Sequence, residues 1–138
     1  MKQTYILGLD ELDVLLKDVC EIFDDGVVVL QGDLASGKTT FVKKIVEFSG
    51  IKDTVTSPTF SLQHNYADKI FHYDMYNHGL EHFISLGMLE ELERSGLHFV
   101  EWGDDELVKI LNLADMQNIT IKIRKISNDK REYKICIR

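Results

Sequence analysis

Eight consecutive residues, Gly32-Asp33-Leu34-Ala35-Ser36-Gly37-Lys38-Thr39, have the types and spacing to hold a polyphosphate. They fit the pattern G-x-x-x-x-G-K-[ST] in full. Glycines let the backbone curl with its N–H groups turned inward. A helix opening at the end of the curl adds its own unpaired N–H groups, so the segment makes an anion nest. The residues set against a nucleotide are then Asp33, Leu34, Ala35, Ser36, Gly37, Lys38, Thr39 and Thr40. The Lys38 ammonium would reach the β- and γ-phosphates, and the Thr39 hydroxyl would face Mg²⁺. Thr40 is a candidate for the α-phosphate, with an ordinary first-turn residue as its alternative.

Phosphate chemistry at such a nest also needs a carboxylate near the metal. Leu97-His98-Phe99-Val100-Glu101 is an apolar strand that ends in an acid, which makes Glu101 the candidate to order the Mg²⁺ shell. His72 and Asp74 are two apart on an expected strand, so they share a face. Asp74 becomes a candidate to orient an attacking water or to act as a base. His64, His78, His82 and His98 lack comparable support. Cys20 and Cys136 are the only cysteines and form no C-x-x-C, so they read as two reduced thiols rather than a zinc site.

These side chains need elements to hold them. Val27-Val28-Val29-Leu30 is an unbroken apolar run of the kind found in buried parallel strands, and it leads into the glycine-rich turn. A helix is expected from Lys38 to Phe48. Before it, Thr4–Leu7 reads as a short strand. Asp10 is placed to cap a helix over Glu11–Phe23, with Leu12, Leu15, Leu16, Val19 and Ile22 on one face. Beyond the phosphate loop, Thr54–Thr56, Phe60–Tyr66, Ile70–Tyr76 and Leu97–Val100 read as strands. Leu80–Ser95 reads as helix broken near Gly87, and a helix from Asp104 to Leu111 follows. Asn118–Ile126 and Arg131–Ile137 alternate around Ser127-Asn128-Asp129-Lys130, which predicts a C-terminal hairpin. Interleaved strands and helices predict an α/β three-layer P-loop NTPase fold. Its central sheet is mixed but mainly parallel, and a single domain spans residues 1–138.

Composition narrows the function. The chain has 138 residues, with 44% apolar, which suits one globular domain with a real core. No apolar run approaches the ~20 residues of a membrane span. The short apolar stretch after Met1 soon meets Asp10 and Glu11, so a cytoplasmic protein without a signal peptide is expected. The formal net charge of -7 makes it a poor nucleic-acid binder by itself. The Asn-Lys-x-Asp signature of guanine binding is missing. The four arginines are Arg94, Arg124, Arg131 and Arg138, and none falls in a recognisable lid. A phosphoryl-transfer site without a nearby arginine should be slow alone. It would need a partner, or it would use nucleotide binding as a switch.

The order of motifs resembles the bacterial TsaE (YjeE) family, the small P-loop ATPase of the system that makes threonylcarbamoyladenosine on tRNA. The resemblance rests on Gly32 through Phe41, then Ser57-Pro58-Thr59-Phe60, His72-x-Asp74-x-Tyr76, Leu86-Gly87 and Glu101-Trp102. It implies that Lys38 and Thr39 bind ATP and Mg²⁺, and that Thr59 is a nucleotide-sensing switch residue. It also implies that Asp74 is the catalytic or metal-associated aspartate, Glu101 the Mg²⁺-associated glutamate, and Trp102 a tryptophan near the nucleotide. The chain departs from the family pattern at Ala35, at Asn77 (where an arginine usually follows the tyrosine) and at Gly103 (where proline often stands). The implied partners are TsaD, which transfers the threonylcarbamoyl group, and TsaB, which pairs with TsaD. Transfer RNA would be met only through that complex. Two other classes remain open from the residues: a small-molecule kinase with Asp74 as base, and a nucleotide-gated binding module with negligible catalysis.

Overall fold

Alternate residues of the central strands face opposite ways, and here both faces are apolar and both are covered. The computed structural model describes residues 2–33, 36–52, 63–76 and 79–137. Seven strands form one sheet: β1 (Lys2–Leu7), β2 (Gly26–Gln31), β3 (Gln63–Tyr66), β4 (Ile70–Asp74), β5 (Leu97–Glu101), β6 (Asn118–Lys125) and β7 (Arg131–Ile137). Their order is β1-β7-β6-β2-β5-β4-β3. The centre, β6-β2-β5-β4, is parallel, while β3, β7 and β1 pair antiparallel at the two sides. This is the mixed, mainly parallel α/β sheet expected from the sequence.

On one face, Val28, Leu30, Phe99, Ile119, Ile121 and Ile123 pack against α1 (Leu12–Ile22) and α2 (Lys38–Phe48). On the other, Val27, Val29, Phe71, Tyr73 and Val100 pack against Phe83 of α3 (Leu80–Ser85) and against Leu107 and Leu111 of α5 (Asp105–Leu113). Period-2 alternation in strands buried on both sides thus gives three layers. Burying a Leu, Val or Phe side chain is worth roughly 1.5–3 kcal/mol, so these two cores hold the sheet rigid beneath the site.

Helix boundaries shift from expectation for local reasons. Asp10 does not cap α1; the chain enters through a 3₁₀ turn, Leu9–Glu11, where the Gly8 N–H donates to Glu11 Oε1 at 2.9 Å. Leu12, Leu15, Leu16 and Val19 form the buried stripe, but Ile22 at the last turn is 47% exposed. Leu80–Ser95 divides into α3 and α4 (Met88–Glu91), because Gly87 adopts φ 78 between them. Asp104 does cap α5, accepting from the Leu107 N–H at 2.9 Å. Strand β4 stops at Asp74 rather than Tyr76. Residues 54–56, 57–60, 34, 35, 77 and 78 lie outside the described residues, so the expected strand Thr54–Thr56, the switch candidate Thr59, Leu34, Ala35, Asn77 and His78 are not placed.

Candidate functional site

The glycine-rich turn leaves the carboxyl end of β2 and runs into α2, the position where parallel sheets bind ligands. Gly32 has φ 155, and a Cβ there would stand 2.4 Å from the Ile123 carbonyl oxygen and 2.6 Å from Ser36 Oγ. Only glycine lets the loop pass this close to β6. The Ser36 N–H donates to the Asp33 carbonyl at 3.0 Å. Ser36 is buried, Asp33 and Thr40 are exposed, and Gly37 and Thr39 are half-buried.

Lys38 is folded back inside this curl and is only 4% exposed. Its ammonium donates to the carbonyls of Gly32 and Asp33 at 2.7 and 2.9 Å, and more weakly to Ser36 Oγ at 3.4 Å. It also stands 3.8 Å from the centre of the Trp102 ring, a cation–π distance. Burial pulls the Lys38 pKa down, while the nearby charges of Glu101, Asp33 and Asp74 oppose that shift. An anion entering the curl would therefore meet a cation already in place and partly stripped of water.

Register brings the acids to the same spot. Asp74 and Glu101 are paired positions at the carboxyl ends of β4 and β5, and both are buried. By strand parity Glu101, His72 and Asp74 share the face that α2 covers. The Thr39 hydroxyl lies 2.8 and 3.0 Å from the two Glu101 carboxylate oxygens, to which it donates. His72 Nε2 donates to the same carboxylate, and His72 is fully buried. His72 Nδ1 finds no hydrogen-bond partner among the described residues. Asp74 Oδ1 accepts the Tyr76 N–H at 2.8 Å, which fixes one side of that carboxylate.

Trp102 follows β5 with φ 64, an uncommon conformation for a bulky residue. Its N–H donates to the Leu30 carbonyl at 3.1 Å, so the chain is tied to β2 at the point where it turns. The turned backbone brings the indole over Lys38 and against Tyr76, with ring centroids 4.8 Å apart. Strain of this kind costs about 1–3 kcal/mol and persists where surrounding contacts enforce it.

The donor set suits a hydrated Mg²⁺. Among the described residues no group of three or more His, Cys, Asp or Glu could cage a metal ion. A threonine hydroxyl beside one carboxylate is instead what Mg²⁺ takes when it keeps several waters and leans on phosphate oxygens. Lys38, Thr39, Asp74, Glu101 and Trp102 are thus brought together, while Thr40 stays on the outer surface of α2. Two participants escaped the sequence reading. His72 is paired with Glu101, not merely aligned with Asp74. The expectation that no arginine stands near the loop is corrected: Arg131 Nε donates to the Ser36 carbonyl at 3.0 Å. The signal for Arg131 was topological, since a hairpin whose first strand runs parallel to β2 must turn at the carboxyl end of β2, beside the glycine-rich loop.

Comparison with known proteins bears on this geometry. Residues 9–133 match the model of the family described as TsaE, threonylcarbamoyl adenosine biosynthesis protein TsaE. The tRNA threonylcarbamoyladenosine biosynthesis protein TsaE of Treponema pallidum is 35% identical over 121 residues, covering 85% of this chain and 87% of the relative. The protein of the same name from Rickettsia typhi is 36% identical over 110 residues, covering 76% and 73%. The crystal structure of Bacillus subtilis YdiB superposes with a TM-score of 0.73 at 26% identity, covering 99% of this chain and 86% of that one.

Proposed function

This chain belongs to the TsaE family, and from that premise we propose that it binds and slowly hydrolyses ATP in support of threonylcarbamoyl transfer to the tRNA adenosine beside the anticodon. The family's role lies in threonylcarbamoyladenosine biosynthesis. The observation that supports the finer reading is the convergence of Lys38, Thr39, Glu101 and Asp74 at one end of the sheet, with Thr39 hydrogen-bonded to Glu101.

Each residue has a task set by its place. The loop N–H groups and Lys38 bind the triphosphate, with Lys38 exchanging the carbonyls of Gly32 and Asp33 for phosphate oxygens. Thr39 and Glu101 would hold Mg²⁺, which would supply positive charge to offset that of the phosphates. Asp74, on the same edge, orients the attacking water and takes its proton. Trp102 covers Lys38 and screens that side of the curl from solvent. Thr59 senses the nucleotide by the family resemblance. The guanine signature is missing, which favours adenine.

The partners in this proposal are TsaB and TsaD, with tRNA reached only through them. A chain of net charge -7 has no surplus of cations with which to hold tRNA alone. Purified chain assayed with and without the two partners, after a pull-down, tests the reading. Slow turnover alone and stimulation by TsaB with TsaD are expected. Fast, partner-independent hydrolysis, or phosphate passed from ATP to a metabolite, would overturn it.

A further inference from the structure

Arg131 opens β7, and its backbone is paired on both sides, with Leu7 of β1 and Lys125 of β6. Its guanidinium is fixed as well: Nη1 donates to the carbonyls of Ser127 and Lys130 at 3.2 and 3.3 Å. From this anchored position Nε donates to the Ser36 carbonyl at 3.0 Å, across 95 residues of chain. A Cβ built on Gly37 would lie 4.0 Å from the same nitrogen, so the guanidinium sits against the last turn of the phosphate loop.

The peptide bond between Ser36 and Gly37 is where this contact acts. In a planar trans peptide the carbonyl of one residue and the N–H of the next point opposite ways. Drawing the Ser36 carbonyl toward the hairpin therefore aims the Gly37 N–H away from it. Gly37 has φ 114, and glycine takes positive and negative φ with similar ease. Nothing intrinsic to Gly37 prevents this peptide from flipping. Flipped, it would turn a carbonyl oxygen where a donor is needed, and that oxygen would repel phosphate.

We infer that Arg131 is a positioning residue for nucleotide binding: from the C-terminal hairpin it locks the Ser36–Gly37 peptide in the orientation that presents the Gly37 N–H to phosphate. The inference rests on the proposed nucleotide site but has a readout that needs no nucleotide. Arg131→Lys keeps the charge but lacks the rigid fork that joins Ser36 to Ser127 and Lys130. Arg131→Gln removes the charge as well.

The test compares both variants with the parent chain by ¹⁵N relaxation dispersion on the nucleotide-free protein, and by ATP and ADP titration in Mg²⁺ buffer. Both variants should show new microsecond-to-millisecond exchange confined to the amides of Ser36, Gly37 and Lys38, with β1, β6 and β7 unchanged. Both should bind nucleotide about tenfold more weakly, the loss expected for one charged hydrogen bond. Arg131→Lys should not rescue. A quiet loop in both variants overturns the inference, as does exchange spread through the whole hairpin. Full rescue by lysine overturns it too, because charge alone would then suffice. If the parent chain bound no nucleotide, the site reading would fail, yet the dispersion result would still decide the role of Arg131.

Discussion

Thr39→Val keeps the β-branched shape of the side chain and removes only the hydroxyl that meets Glu101 at 2.8 and 3.0 Å. Glu101 is 3% exposed, so its carboxylate cannot replace that donor freely with water. A hydrogen bond to a charged group contributes about 1.5–3 kcal/mol, and about 2 kcal/mol is expected here because His72 still donates to the same acid. With about 2.1 cal/mol/K per residue, a chain of 138 residues has an unfolding entropy of about 0.29 kcal/mol/K. The melting temperature should therefore fall by about 7 °C, measured by calorimetry without nucleotide. In a Glu101→Gln background the acceptor is neutral and its hydrogen bond about half as strong, so Thr39→Val should cost only about 1 kcal/mol. The same variant should lose the part of ATP affinity that depends on Mg²⁺ and keep the part measured in chelator. An unchanged melting temperature, or equal costs in the two backgrounds, would show that the Thr39–Glu101 bond is not made, and the metal assignment would fall with it.

Three further outcomes are expected. Lys38→Ala should abolish nucleotide binding and turnover in equilibrium dialysis and phosphate-release assays, since the curl would lose its one buried ammonium; normal hydrolysis would refute the site. Trp102 is the only tryptophan, so its emission should change when ATP with Mg²⁺ draws Lys38 from the indole face, whereas a flat titration alongside proven binding would remove Trp102 from the site. His98 is fully buried, donates through Nε2 to the Arg94 carbonyl and accepts at Nδ1 from the Tyr73 hydroxyl, and burial holds its pKa below the ordinary 6.5. Its contribution to stability should be complete above about pH 6.5 and should decline as pH falls through the depressed native value, which urea titrations of the parent chain and of His98→Gln across that range would reveal as a slope present only in the parent.

Much of the site could be read without coordinates because its pieces are local. Gly32 to Thr39 is one stretch of backbone, and its glycines, lysine and threonine stand out as a candidate phosphate loop by spacing alone. The apolar run before it and the acid ending Leu97–Glu101 were legible as strands because both faces are buried and the pattern is continuous. Helix ends were less legible. Asp10 and Glu11 are neighbours, and which of them takes the free N–H of Gly8 depends on how the chain enters α1. Ile22 fits the helical stripe yet emerges into solvent, because periodicity continues past the point where neighbouring elements cover the helix.

The amino-acid order alone determined that a glycine-rich turn carrying Lys38 and Thr39 lies between a buried strand and a helix, because the turn and the residues it carries are set within eight positions. Which acid meets Thr39, which imidazole steadies that acid, and which guanidinium holds the loop were decided only by the tertiary structure. Those contacts join residues 62, 29 and 95 positions apart, and they exist because the parallel register of β2, β5 and β4 and the returning hairpin of β6 and β7 deliver their ends to one edge of the sheet.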